Sequence, residues 1–335
     1  MPGKIPPSIL ANYIFARLGA RDSSVIIGPS IGEDAAVLDL GDGKALVVHT
    51  DPISGAVEHL GWLAVHVASN DIAVTGAKPK WMLSVLFLPE SFSLEMLDRV
   101  TGQMDDAAKE LGISIVGGHS EYTGGIDRPL AAVTVMGLAS MEHVVQTGGA
   151  KPGDLILMTK TAGVEGTAIL ATDFRELLEE KGVPSRLIRS GARFLRKISV
   201  VGEALTLAEK RLAHAMHDAT EGGILGGLAE IAYASGVSLK IYEEKIPVAE
   251  ETEAFCNALS IDPLRLISSG VLLAAIPQNC VEKAAAALRD IDVEVSVIGE
   301  ALENRGYLVE LQRKDGGIER LERPYVEDEL FKLWS

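Results

Sequence analysis

The chain has 335 residues, 47% of them hydrophobic, with 47 Asp and Glu against 31 Lys and Arg, a net charge of -16 and a pI near 4.9. That length and apolar content allow large buried cores and favour two domains over one. The acidic balance excludes a nucleic-acid phosphate surface, which rests on clustered Lys and Arg, and it means that a polyphosphate could approach the carboxylates only with Mg2+ between them.

In chain order, Asn12 to Leu18 reads as a short helix and Gly28-Pro29-Ser30-Ile31-Gly32 as a glycine-rich loop. Two compact apolar runs, Ala35 to Leu38 and Ala45 to Val48, flank Gly41-Asp42-Gly43 and predict a hairpin. A helix over residues 58 to 75 carries Asn70 and Asp71 and is stopped by Gly76 and Pro79. The continuously apolar Trp81 to Leu88 predicts a strand covered on both faces, and the amphipathic Leu94 to Leu111 predicts a helix ending at Gly112. Ser114 to Val116 runs into a Gly117-Gly118 loop, and Ala131 to Leu138 closes the first unit as a strand.

Turn residues without apolar periodicity at 148 to 154 place the boundary, giving domains 1–147 and 148–335. The second unit alternates strand-like runs at 155–159, 237–241, 271–276 and 293–298 with helical ones at 185–198, 224–234, 250–259 and 282–290. The expectation is an α+β fold in two domains. Neither G-x-G-x-x-G after a strand nor a Walker-type G-x-x-x-x-G-K-[ST] occurs, so a nucleotide would be bound by another architecture.

No apolar run approaches the ~18–20 residues that span a bilayer, and Met1-Pro2-Gly3-Lys4-Ile5-Pro6-Pro7 lacks the apolar segment of a signal peptide. A cytoplasmic protein with neither membrane nor nucleic-acid partner is expected. Cys256 and Cys280 are isolated and predict reduced thiols without a chemical role.

Four acidic or metal-capable segments recur in the first half: Gly32-Glu33-Asp34-Ala35-Ala36, His49-Thr50-Asp51, Asn70-Asp71 and Gly117-Gly118-His119-Ser120-Glu121. Mg2+ prefers oxygen ligands, and Asp34, Asp51 and Asp71 together can supply them; singly, each is equally a turn-favouring or capping aspartate. In the second half, Asp218 and Thr220 precede Gly222-Gly223 and an apolar helix, a pattern that caps a helix and can also present backbone N–H groups to an anion. Lys160 follows a strand in a glycine-bearing loop, placed either to meet phosphate or as an ordinary exposed lysine.

These segments resemble, in order, the motifs of the PurM-like ATP-binding superfamily, which includes aminoimidazole ribonucleotide synthetase, the HypE-type hydrogenase maturation protein, thiamin monophosphate kinase and selenophosphate synthetase. Gly32 to Val37 is similar to its G-[DE]-D-[AC]-A motif, Thr50-Asp51 to the following T-D, Asp71 to Pro79 to D-x4-G-A-x-P, and Gly117-Gly118 to the G-G-[DEN]-T loop. Pro152-Gly153-Asp154, His217 to Gly223 and Ser268 to Leu273 resemble the motifs of the second domain. The resemblance implies ATP and Mg2+ as cofactors, with Asp34, Asp51 and Asp71 as metal ligands and Gly32, Gly117, Gly118, Asp218, Thr220, Gly222 and Gly223 in the nucleotide site. It implies transfer of the γ-phosphate to an unidentified small-molecule or peptide acceptor, and a homodimer whose first-domain sheets pair. Candidates for a catalytic role are Lys160, His119 and Glu121. His119 departs from the acidic third position of its motif, and Glu121 could take that position over. The run Glu243 to Val248 with Asp262-Pro263 looks most like HypE-type proteins, although the end Phe331-Lys332-Leu333-Trp334-Ser335 carries no cysteine and none precedes Cys256. The alternative is a nucleotide-binding regulatory or scaffold protein that has lost turnover.

Overall fold

The structure, a computed structural model, describes residues 4–54 and 56–333; the readings that rest on Met1, Pro2 and Gly3 and on Trp334 and Ser335 lie outside the described residues. Val25–Ile27 (β1), Ala36–Gly41 (β2) and Lys44–Ile53 (β3) form an antiparallel meander. Asp42 and Gly43, at φ 51° and 70°, make the tight turn between β2 and β3, the backbone that a two-residue hairpin requires.

Helix α1 (Leu60–Val74) leads to β4 (Lys78–Leu88), then α2 (Leu94–Leu111), β5 (Ser114–Tyr122) and β6 (Leu130–Ser140). The six-stranded sheet has the order β1-β2-β3-β6-β4-β5. Its backbone is the long antiparallel pairing of β3 with β6, from Lys44 opposite Ser140 to Ile53 opposite Ala131. The parallel pair β4 and β5 is joined across α2, as a parallel connection must be. Ser93 caps α2 by accepting from Met96 N, and Gly112, at φ 69°, ends it.

The second domain begins with β7 (Leu155–Thr159), α3 (Val164–Thr172), α4 (Arg175–Glu180), α5 (Ser185–Gly191) and α6 (Val201–Glu209). It continues through β8 (Ala215–Asp218), α7 (Gly223–Ser235), β9 (Ser238–Tyr242), α8 (Glu250–Leu259) and β10 (Leu272–Ile276). It ends with α9 (Val281–Arg289), β11 (Val295–Leu302), β12 (Val309–Gln312) and β13 (Ile318–Leu321). The sheet order is β13-β12-β9-β11-β7-β10-β8, antiparallel except between β12 and β9. The architecture is thus α+β in two domains, each around its own sheet.

Four expectations are corrected. The N-terminal helical turns lie at Pro7–Ile9 and Leu10–Ile14 rather than at residues 12 to 18, because Pro7 is placed where a helix can begin without its N–H. The helix over 185–198 is divided into α5 and a 3-10 segment, Ala192–Lys197. A Cβ on Gly191, at the junction, would stand 2.7 Å from the Phe255 ring. Strand β4 buries Met82, Leu86 and Leu88 on one face but leaves Leu83 on the other 39% exposed, so only one face is covered within the chain. The Gly117-Gly118 segment is part of β5, an exposed edge strand, and no loop.

Helix α1 is buried along nearly its whole surface. One side packs on β3, β6 and α2; the other meets α6 and β8 of the second domain. A helix buried on all sides shows little amphipathic period, and this one joins the two domains. Its end is a left-handed cap in which Gly76 N donates to Ala73 O (2.8 Å) and Ala77 N to Ile72 O (3.1 Å). Gly76 has φ 85°, and a Cβ there would lie 2.0 Å from His143 O. Gly76→Ala is therefore expected to cost about 3 kcal/mol, combining the left-handed penalty with the displaced carbonyl; a melting temperature within a degree of wild type would contradict this account.

Candidate active site

Strand β3 and helix α1 place the acidic side chains. His49 and Asp51 lie two residues apart on β3 and so share a face, while Asp71 sits one turn before the end of α1. His49 Nε2 is 3.1 Å from Asp71 Oδ2 and 4.0 Å from Asp51 Oδ1. One ligand atom from each of His49, Asp51 and Asp71 falls within 4.8 Å of the other two, a spacing that could hold a metal ion.

Asp34 reaches the same region from the loop before β2. It pairs with His217 Nδ1 at 2.8 Å and accepts from Thr147 Oγ1 at 3.0 Å. The other ring nitrogen of His217, Nε2, is 2.9 Å from Glu230 Oε2, and Lys4 Nζ is 3.2 Å from Glu230 Oε1. Burial opposes a charge on His217, but the carboxylates of Asp34 and Glu230 outweigh it and hold the imidazolium well above its usual range. Burial likewise opposes the charge on Glu230, and Lys4 and His217 overcome it to hold that carboxyl at about 2.

At the remaining acids burial outweighs the compensating partners. Burial, followed by Asp34, Asp51 and Asp218, pushes the Asp71 carboxyl well above the usual carboxylate range. Burial also raises Asp51, takes Asp218 to about 7 and takes Glu165 to about 8. An interdomain cavity of about 460 Å3 is lined by Glu33, Asp34, Asp51, Asp71, Glu165, Glu221 and Glu230 together with Lys4 and Arg128. Carboxylates that crowd and desolvate one another either take up protons or attract a cation. A hard divalent ion suits an oxygen donor set of this kind, so the residues present fit Mg2+. His49, as imidazole, is a weaker partner for it than the aspartates.

Of the residues singled out from the sequence, Gly32, Asp34, Asp51, Asp71 and Thr220 line this cavity. Asp218 lies beneath it at the end of β8, fully buried, accepting from Asn70 Nδ2 (2.9 Å) and Gly270 N (3.1 Å). It therefore caps no helix: the residue that precedes α7 is Gly222, at φ 82°. Gly222 N donates to Asp328 Oδ2 at 2.7 Å and Gly223 N to Thr220 O at 3.0 Å, so the expected anion cradle is filled from within the chain.

Lys160 is neither an exposed lysine nor part of the cavity lining. Its ammonium donates to the carbonyls of Ser199 and Gly270 (2.7 Å each) and pairs with Glu203 at 2.8 Å. Gly117, Gly118, His119 and Glu121 lie on exposed β5, where His119 Nε2 is 3.1 Å from Glu121 Oε2, and they do not reach the cavity of their own chain. His217, Glu230 and Lys4 were not singled out as site residues. Glu230 had a sequence signal, being the one charged residue in the apolar run from Gly223 to Ser235; Lys4 had none.

Two family models match the chain: "AIR synthase related protein, N-terminal domain" over residues 32–139 and "AIR synthase related protein, C-terminal domain" over residues 151–311. A carbamoyl dehydratase HypE from Cupriavidus necator is 32% identical over 296 residues, covering 86% of this chain and 82% of that protein. Among solved structures, a hydrogenase maturation protein HypE in complex with ATP superposes with a TM-score of 0.71 at 25% identity, covering 94% of this chain and 93% of that one. A chain of a HypE–HypF complex superposes at 0.70 with 28% identity, covering 88% of this chain and 94% of that one. Fold and ordered motifs together define a two-domain protein of the PurM-like class. Within it, the chain belongs to the AIR synthase-related family, with HypE-type proteins among its relatives.

Glu165 generates a pH prediction. Its carboxyl is raised from 4.5 to about 8, so folding takes up a proton over that interval and the wild type loses stability as pH rises through it. Glu165→Gln, neutral at every pH, should match wild type in melting temperature at about pH 5, exceed it progressively towards about pH 8 and hold a constant gap above. A gap independent of pH in buffered thermal melts would refute the assignment.

Proposed function

We propose that the protein is an ATP-dependent enzyme that transfers the γ-phosphate of Mg-ATP to the oxygen of an amide-bearing acceptor, so that the oxygen leaves as phosphate. The observation that carries this reading is the convergence of Asp34, Asp51 and Asp71, from three separate elements, on one acidic interdomain cavity. Such a cavity repels a bare triphosphate and attracts one only through a cation. Asp34, Asp51 and Asp71 would hold Mg2+, which when bound neutralises phosphate charge in the ground state and as it develops in transfer.

The chain's own contribution is to position and protonate. His217, held charged between Asp34 and Glu230, fixes the Asp34 carboxylate towards the cavity. Glu165 and Ser269 also line the cavity and are buried, and among the described residues Glu165 Oε2 and Ser269 Oγ have no hydrogen-bond partner of good geometry. A neutral carboxyl beside a hydroxyl offers a donor and an acceptor at once, which is what the edge of an amide requires. The related carbamoyl dehydratase supports dehydration as the outcome: the O–P bond forms as the bond to ADP breaks, and the nitrogen then loses its protons as phosphate departs. Among the described residues no thiol lines the cavity, and burial pushes the Cys256 thiol up to about 12; the acceptor in this reading is a small molecule or peptide. We divide the domains between residues 147 and 148, consistent with the gap between the two matched regions.

Asp71→Asn tests the metal-nucleotide assignment. It should weaken Mg-ATP binding by at least about tenfold, roughly 1.4 kcal/mol, in a protein that melts no lower than wild type, since a crowded buried carboxyl has been removed. Unchanged affinity by calorimetric titration would defeat the proposal. Tight Mg-ATP binding without phosphate release, whatever amide is supplied, would instead favour the nucleotide-binding scaffold.

We further propose a homodimer. The edge strand β5 is exposed along its whole length, and Ile115, Val116 and Tyr122 on it are 43%, 54% and 55% exposed, an arrangement that covered sheets avoid. Pairing of first-domain sheets would cover this edge and bring His119 and Glu121 against a second copy. Light scattering at micromolar concentration should give twice 35.6 kDa; a stable monomer would remove both the pairing and any role for those two residues.

A further inference from the structure

A second cavity, of about 480 Å3, opens on another part of the interdomain surface. One wall is Glu58 and His59, just before α1 in the first domain; the other is built by α3, α4, α5 and the 3-10 turn after α5, in the second. Its floor is Ala171, Ile188 and Ala192, and its rim carries Arg175, Arg189 and Arg193.

The charges there run against the character of the chain. Arg186, Arg189, Arg193 and Arg196 recur at intervals of three and four along α5 and the 3-10 turn that follows it, in a protein of net charge -16. Arg186 pairs with Glu250 at 2.7 Å and Arg175 with Glu179 at 3.0 Å. Arg189 and Arg193 have no carboxylate partner among the described residues. The nearby acids are engaged elsewhere: Glu58 pairs with Arg99 at 3.3 Å, and Asp173 accepts from Val57 N at 3.0 Å and from Thr172 Oγ1 at 3.2 Å. Arg189 and Arg193 are thus like charges on either side of the junction between α5 and the 3-10 turn, with no ion pair among the described residues to offset their repulsion.

We infer that this groove is a binding site for a small, multiply charged anion of the phosphate-ester class, held by Arg189 and Arg193 with Arg175 at the rim. Guanidinium groups present paired donors that match phosphate oxygens, and a concave site with a short apolar floor suits a compact phosphorylated metabolite better than an extended acidic chain. The groove also lies at the start of α1, whose far end carries Asp71 about 16 Å away at 1.5 Å per residue. The site is independent of whether the acidic cavity takes ATP.

The test is calorimetric titration of inorganic pyrophosphate into the intact protein with a chelator present, because without a divalent ion the carboxylate cavity repels polyphosphate. One site per chain is expected, weakened by salt and accompanied by a rise in melting temperature. Arg189→Glu/Arg193→Glu, both at exposed positions, should weaken binding at least about tenfold while circular dichroism stays that of wild type; Asp71→Asn should leave it unchanged. A citrate titration separates a general polyanion site from a phosphate-selective one, and equal affinity for citrate would overturn the phosphate assignment. A flat wild-type isotherm, binding that survives in the double arginine variant, or binding lost in Asp71→Asn alone would each overturn the site.

Discussion

Asn70 is the residue on which the interdomain arrangement depends. It is fully buried, its amide nitrogen donates to Ile198 O and Asp218 Oδ2, and its amide oxygen accepts from Val200 N, every bond at 2.9 Å. A buried amide left unpaired costs ~1–3 kcal/mol for each missing bond, so the second domain must dock where these partners are. Because α1 turns about 100° per residue, fixing Asn70 towards the second domain fixes its neighbour Asp71 towards the cavity. The docking contact and the proposed metal ligand are therefore set by one helix rotation.

The electrostatics divide the cavity in two. Asp34 and Glu230 are neutralised from inside the chain by His217 and Lys4, and their charges contribute to holding the first-domain loop and the N-terminal segment against α7. Asp51, Asp71, Asp218 and Glu165 have their carboxyls raised first by burial and then by neighbouring carboxylates, Glu221 for Asp51 and Asp34 for Asp71 and Asp218 among them. Such crowding destabilises the unliganded protein and is relieved by a bound cation, which links the stability of the closed arrangement to the ligand it is proposed to take.

Close backbone approach is the other constraint. A Cβ at Gly32 would lie 2.9 Å from Glu230 O, one at Gly149 1.9 Å from His214 O, and one at Gly76 2.0 Å from His143 O. The first and second of these lie where first-domain loop or connecting segment meets the second domain, and the third seats the end of α1. The glycines permit distances that any side chain would prevent, and so bring Asp34 within reach of His217.

Local pattern was enough to determine much of this protein. The β2–β3 hairpin, the end of α2 at Gly112, helix α8 and the left-handed cap at Gly76 all follow from turn residues and apolar spacing, and an ordered motif series singled out Asp34, Asp51 and Asp71, which line one cavity. What the sequence left open depends on contacts between distant segments. His217 and Asp218 belong to a buried strand because β10 pairs beside them, not because of their own residue types. Gly222 meets Asp328 instead of a ligand, and Lys160 meets Ser199, Gly270 and Glu203 instead of phosphate. His119 and Glu121 read as a site loop and stand on an exposed edge. Periodicity reports which face of an element is buried, but a polar side chain's partner is chosen by packing, and that choice exists only once both domains are in place.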